Sequence, residues 1–263
     1  MKGRTMTKVR FETDGQVGIM TICDPPLNLV SLEIIDGLEQ AIVEMERAPI
    51  RAALVRAEGE HFSAGANVGD MFQGVSAAQA RLLLGRVGRN LHRVEQLPFP
   101  TIAAVHGLCL AAGLEIALAC DLIWAADSAQ LGLVEAVIGA VPFGGGAQRL
   151  AERAGVGRAR EAVMTGGVYD AETFARWNVI NRVVPGAELA DKTLRFAHRL
   201  AAGATLAHGA TKRVLRAYLD QGTIAADTTL LDAAPALFET DDMQGGIASL
   251  LEQGPGNATF AGR

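Results

Sequence analysis

Four strand-like runs recur through the first two-thirds of the chain, and they restrict its architecture more than any other feature. They are VGIMTI (Val17–Ile22), AALVRA (Ala52–Ala57), TIAAVHG (Thr101–Gly107) and DLIWAA (Asp121–Ala126), all rich in residues that suit buried strands. Helical patterns lie between them. Ser31 is placed to cap a helix whose apolar residues Ile34, Leu38, Ile42 and Met45 recur at helical spacing. Another helix is expected over Ala77–Gln96, ended by LPFP. After VINRVVP the pattern changes: Glu188–Ala202, Leu206–Leu219, Ile224–Phe238 and Asp241–Leu251 read as helices with no strand among them. The fold class is therefore α/β, with an α/β body over residues 1–185 and an all-helical region over 186–263.

The chain has 263 residues, 49% of them hydrophobic, which suffices for one large domain with a substantial core. A formal net charge of −5 argues against nucleic acid as a partner. No run approaches the roughly 18 continuous apolar residues of a membrane span. The opening MKGRTMTKVRFE has charges without an apolar stretch behind them, so no secretory leader is expected. Cys23, Cys109 and Cys120 lack the spacing of a zinc site or a disulfide framework and read as reduced core residues. A cytoplasmic location is the expectation.

Other motifs carry less. FGGGAQRL (Phe143–Leu150) lacks the Lys and Ser/Thr of a nucleotide phosphate loop and reads as a tight loop into a helix. His61, His92, His106, His198 and His208 are scattered, without ligand-type spacing, so no metal site is expected. Ser63 sits in HFSAGAN, without the GxSxG elbow of a hydrolase.

LAAGLEIALACD (Leu110–Asp121) is the stretch that asks for chemistry, because Glu115 interrupts an otherwise uncharged run. A buried carboxylate is costly to keep charged unless it is paired, protonated or working. The plainer alternatives are a helix whose Glu115 faces water, or one that meets an arginine. A second carboxylate in apolar company, Glu135, follows 20 residues later in LGLVEAVIGAVP, with DLIWAA between. That turn of chain is able to bring both to one cavity. HFSAGANVGDM and HGLCLAAGLEIALACD each follow a strand-like run and consist largely of small residues, which let a ligand approach backbone N–H donors. Two such donors on one oxygen would form an oxyanion hole.

With FSAGAN, the long stretch from PTIAAVHG through GGGAQRL, and FETDDMQGGIASLLEQ, the chain resembles the enoyl-CoA hydratase/isomerase, or crotonase, family from about Val9 to Phe260. The resemblance implies a spiral of ββα units with a C-terminal helical region used in trimerisation, and a homotrimer or homohexamer. It implies an acyl-CoA thioester as substrate, with coenzyme A part of that substrate and no separate cofactor. It implies backbone N–H groups of Ala66 and Ala112 as the oxyanion donors, and Glu115 and Glu135 as catalytic residues. Glu115 would activate water and Glu135 would deliver a proton to C2. Ala64, Gly65, Asn67 and Gly113 would serve substrate and coenzyme binding, Ala64 at the adenine end of coenzyme A and Gly113 also through close packing at the helix start.

The chain departs from the family pattern in places. LAAG stands where glycines are usual, Asn67 where an aspartate is common, and Gly69 where many hydratases carry a basic residue. The presence of both glutamates favours a 2-enoyl-CoA hydratase, since double-bond-shifting isomerases of the family commonly keep only the later one. A different crotonase-fold reaction on a CoA thioester (isomerase, hydrolase or carbon–carbon lyase) is the alternative, and a non-catalytic binding member the third. Asp241 and Asp242 are expected to cap a helix.

Overall fold

The computed structural model describes residues 7–263, so the reading of the first six residues lies outside the described residues. The chain begins with a hairpin, β1 (Val9–Asp14) and β2 (Val17–Ile22), followed by α1 (Leu32–Arg47) and β3 (Ala52–Ala57). Then come α2 (Val68–Phe72), α3 (Ala77–Gln96), β4 (Thr101–Val105), β5 (Leu108–Leu110), α4 (Ala112–Leu118) and β6 (Leu122–Ala126). The central part continues with β7 (Gln130–Gly132), a 3-10 turn over Glu135–Ile138, α5 (Gly146–Ala154) and α6 (Val156–Thr165). It closes with β8 (Tyr169–Asp170), α7 (Ala171–Arg176) and β9 (Arg182–Val184). Helices α8 (Leu189–Ala201), α9 (Thr205–Gln221), α10 (Thr223–Ala233) and α11 (Asp241–Gln253) follow.

The main sheet has the order β1-β2-β3-β4-β6-β9, antiparallel only between β1 and β2. Every residue of β2 and β4 is buried, as expected of parallel strands covered on both faces. The apolar stripe of α1 (Ile34, Ile35, Leu38, Ala41, Ile42, Met45) packs into the core, and the Ser31 hydroxyl caps its start by accepting from the Ile34 N–H. On α3, Ser76 and Gln79 form a reciprocal capping box. Helix α8 packs against β3, β4 and β6, so the first helix of the C-terminal region also covers the sheet.

A second, three-stranded sheet positions the glutamates. Its strands β5 and β7 are parallel, with Leu110 opposite Gly132. Chain leaving β5 enters α4 and carries Glu115, while chain leaving β7 enters the 3-10 turn and carries Glu135. Parallel neighbours discharge their following segments at the same edge. Isolated bridges between Ser63 and Cys109, and between Val30 and Ala66, lay the 63–67 loop beside that edge.

Three sequence expectations need correction. The helix expected over Ile224–Phe238 stops at Ala233, and Pro235–Glu239 forms a 3-10 turn, because Pro235 has no N–H to continue the ladder. The cap of α11 is Thr240, whose hydroxyl accepts from Met243, and not Asp241 or Asp242. Asp242 instead accepts from the backbone N–H groups of Ala261 and Gly262, tying down the C-terminal segment. Strands β1, β5, β7, β8 and β9 have no counterpart among the expected runs: β1 is an edge strand with a largely polar exposed face, and the others are too short to show a period.

Asp121 joins the sheet to α9. Its Oδ2 accepts from the Thr101 N–H at 2.8 Å, the Thr101 hydroxyl at 2.9 Å and the Lys212 ammonium at 2.7 Å. Asp121→Ala would strand a mostly buried ammonium and a strand N–H, so it is expected to lower unfolding free energy by about 2–4 kcal/mol. Urea unfolding followed by circular dichroism checks this; a loss within error of zero would show that Lys212 finds other partners.

Candidate active site

Glu115 and Glu135 line one apolar cavity of about 140 Å³. Its walls come from the 64–66 loop, α2, α3, the start of α4, the 134–138 turn and the Phe143–Gly144 segment. The surroundings are aliphatic and aromatic: Val30, Met71, Phe72, Leu84, Val87 and Phe143 among them. Among the described residues, no cluster of His, Cys, Asp and Glu side chains is arranged to hold a metal ion, and no helix is long and apolar enough to cross a membrane.

Glu115 is 3% exposed, and its Oε1 accepts from the Gly146 N–H at 2.8 Å. Burial raises its pKa to about 7; the Gly146 N–H opposes the shift and the nearby Glu135 adds to it. Gly144 and Gly146, after Phe143, leave room for the Glu115 side chain. A Cβ on Gly144 would stand 2.8 Å from Glu115 Oε2, and one on Gly146 would meet Glu115 Cγ at 3.0 Å. The loop is held from behind by Arg149, whose Nη1 donates to the Gly144 carbonyl at 2.6 Å. The same guanidinium makes a two-pronged pair with Glu95, at 2.8 and 2.9 Å, and both side chains are largely buried.

Glu135 is also buried, and its Oε2 has no hydrogen-bond partner among the described residues. Burial pushes its pKa up as well. Of the backbone donors on the cavity wall, neither the Ala66 nor the Ala112 N–H has an acceptor among the described residues. Ala111, which precedes the second of these, has φ +46° and ψ −120°, a left-handed backbone unusual for a residue with a side chain. Such a conformation costs roughly 1–3 kcal/mol and persists only where the surroundings impose it. Here the Ala111 N–H donates to Gly132 and its carbonyl accepts from Glu115, so the second sheet and α4 fix the turn from both sides.

The enoyl-CoA hydratase/isomerase family profile matches residues 12–260. The chain belongs to the enoyl-CoA hydratase/isomerase family. It is 29% identical to a probable enoyl-CoA hydratase of Bacillus subtilis over 94% of this chain and 97% of that one. It is 32% identical to a probable enoyl-CoA hydratase of Rhizobium meliloti, over 91% and 93% respectively. Among solved structures, an enoyl-CoA hydratase of Geobacillus kaustophilus superposes with a TM-score of 0.91 at 29% identity, covering 97% of this chain and 98% of that chain. The architecture is thus the crotonase fold, mixed α/β with helices at the C-terminus.

Within this crotonase fold, the cavity brings together Ala64, Gly65, Ala66, Ala112, Glu115 and Glu135. Two of the residues singled out in the sequence stand off its wall. Asn67 is the N-cap of α2, its Oδ1 accepting from Asp70 while its Nδ2 donates to the Asp70 carboxylate. Gly113 packs against the neighbouring loop, where a Cβ would lie 2.6 Å from Ser63 Cβ. Sequence reading missed Arg149 and Glu95, which lie 54 residues apart and have no local pattern to announce them. It also missed Phe72 and Phe143, which look like ordinary apolar residues until the cavity is seen.

The raised pKa of Glu115 has a stability consequence with a definite sign. Below about pH 4.5 the carboxyl is neutral whether the chain is folded or unfolded, and nothing is lost. Between there and about pH 7 the unfolded chain ionises first, so stability falls as pH rises, by roughly 3–4 kcal/mol in all. Glu115→Gln keeps an oxygen for the Gly146 N–H and removes the charge. The variant is expected to equal the parent in stability near pH 4 and exceed it by that amount at pH 8. Thermal unfolding across this range is the check, and a pH-independent difference would mean that the carboxyl is not penalised by burial.

Proposed function

We propose that the protein adds water across the 2,3 double bond of a 2-enoyl-CoA thioester to give a 3-hydroxyacyl-CoA. One observation carries this reading: two buried carboxylates and two unpartnered backbone N–H groups share one small apolar cavity. The sequence similarity to proteins named enoyl-CoA hydratase supports it.

In this reading, the thioester oxygen sits on the Ala66 and Ala112 N–H groups. Ionised Glu115 accepts a proton from water as the water oxygen bonds to C3. The π pair of the double bond moves toward C2, and negative charge grows on the thioester oxygen. Each preorganised donor there is worth roughly 3–4 kcal/mol in the transition state, because it needs no reorganisation in a water-poor site. Glu135 delivers a proton to C2, for which its raised pKa suits it. The two carboxyl groups are coupled through one water, so the pair titrates as a unit. The step is redox-neutral and coenzyme A stays with the product, so the balance calls for no separate cofactor. Ala64 and Gly65 on the cavity wall would face the thioester end of the ligand, with Asn67 and Gly113 supporting the loops around it.

Assembly as a homotrimer or homohexamer and a cytoplasmic location belong to the same proposal. Apolar side chains left exposed on α9, α10 and the segment after it, including Leu215, Ile224, Leu231 and Phe238, are what a subunit contact would cover. Light scattering coupled to size exclusion tests this point; a monomer across micromolar concentrations would remove it.

The decisive assay follows loss of the conjugated enoyl-thioester absorbance of crotonyl-CoA. Glu115→Gln and Glu135→Gln are each expected to reduce kcat by about 100-fold or more, the usual scale of a positioned proton-transfer group, while crotonyl-CoA affinity stays near the parent value. Near-parental turnover in either variant would take that residue out of the mechanism. A double-bond-shifting isomerase would instead give a product with unchanged oxygen content, which mass spectrometry distinguishes. Because Glu115 must be ionised to accept a proton, kcat/KM is expected to fall as pH drops below about 7. A flat profile from pH 5 to 9 would contradict the assignment.

A further inference from the structure

Two cavities of opposite character meet at one phenyl ring. The cavity holding Glu115 and Glu135 is apolar and measures about 140 Å³. Beside it lies a polar cavity of about 320 Å³, whose walls include His92, Glu95, Gln148, Arg149 and Arg216. Phe143 and Gly144 belong to the walls of both. Phe143 packs edge to face against Phe72, with ring centroids 5.4 Å apart and planes at 69°.

The position of this pair explains why it closes the cavity. Phe72 ends α2, the element that follows the Ala66 loop, and Phe143 precedes the glycines that enclose the Glu115 carboxylate. The contact therefore joins the wall carrying one backbone donor to the segment that encloses the Glu115 carboxylate. Both rings are only half-buried, so part of each faces the cavity. Leu84 and Val87, from α3, complete the apolar lining. Beyond the Phe143 ring stands the Glu95–Arg149 pair, which an alkyl chain would desolvate without offering a hydrogen bond.

We propose that Phe143 is a specificity-determining residue, the partition that restricts the acyl group to a short, unbranched, apolar chain. Its removal joins the two cavities and opens a path for longer acyl chains. This inference rests on the enoyl-CoA reading for its turnover measurement, whereas its binding measurement does not require hydration.

The test compares kcat/KM for crotonyl-CoA and trans-2-decenoyl-CoA in the parent protein, Phe143→Ala and Phe143→Leu. It is paired with calorimetric affinities for the saturated thioesters butyryl-CoA and decanoyl-CoA. Burying two methylene groups corresponds to roughly tenfold in affinity. The parent is expected to favour the short substrate by about tenfold or more. Phe143→Ala is expected to move the ratio toward the long chain by at least about tenfold, and Phe143→Leu in the same direction by less. If the alanine variant does not fold, as judged by thermal unfolding, the near-isosteric leucine variant still carries the comparison. Equal use of both chain lengths by the parent would overturn the proposal, as would unchanged ratios in variants that fold. Shifted saturated-thioester affinities without any hydration would uphold the partition and sink the hydratase reading. Absence of acyl-CoA binding altogether would sink both.

Discussion

The site is organised around the removal of the Glu115 carboxylate from water. A carboxylate 3% exposed in an apolar cavity needs compensation. The Gly146 N–H supplies one hydrogen bond, and the rest of the penalty appears as a pKa raised to about 7. The local structure follows from that demand. Residues 144 and 146 are glycines because a Cβ at either would run into the glutamate side chain. Arg149 braces their backbone, and Glu95 neutralises and orients Arg149. Each group in this chain of contacts is buried only because the next one satisfies it.

The second constraint is topological. The pairing of β5 with β7 puts Leu110 beside Gly132, so the segments that carry Glu115 and Glu135 emerge together. The bridge between Ser63 and Cys109 attaches the loop carrying Ala66 to the same short sheet. Strain at Ala111 sits within this arrangement, held by hydrogen bonds to Gly132 and from Glu115. Backbone strain at Ala111, two N–H groups and a carboxylate oxygen without partners among the described residues thus meet at one cavity, whereas β2 and β4 of the main sheet behind it are buried throughout. That contrast is expected where stability is given up for chemistry.

Much of this was legible in the residues themselves. The runs Val17–Ile22 and Ala52–Ala57 coincide with β2 and β3, because strands buried on both faces leave a continuous apolar signature. Ser31 caps α1 as its chemistry suggests, and Glu115 stands out because a charge inside an apolar run is energetically conspicuous. The cap of α11 was misplaced by one to two residues, since Thr240, Asp241 and Asp242 all have side chains able to cap. The helical pattern runs on to Phe238 in the residues, whereas the helix itself ends before Pro235, which has no N–H to continue it.

By itself, the sequence determined the alternation of strands and helices, the helical C-terminal region and the presence of two glutamates in apolar surroundings. These depend on periodicity and composition, which are local properties. Only the tertiary structure decided that Glu115 and Glu135 share a cavity, that Asn67 and Gly113 stand off its wall, and that Phe143 divides it from a polar neighbour. The Arg149–Glu95 brace belongs to the same class, because its partners lie 54 residues apart. Such contacts arise from chain folding across short strands of two or three residues, too brief to announce themselves in any periodic pattern, and burial gives each contact its energetic weight.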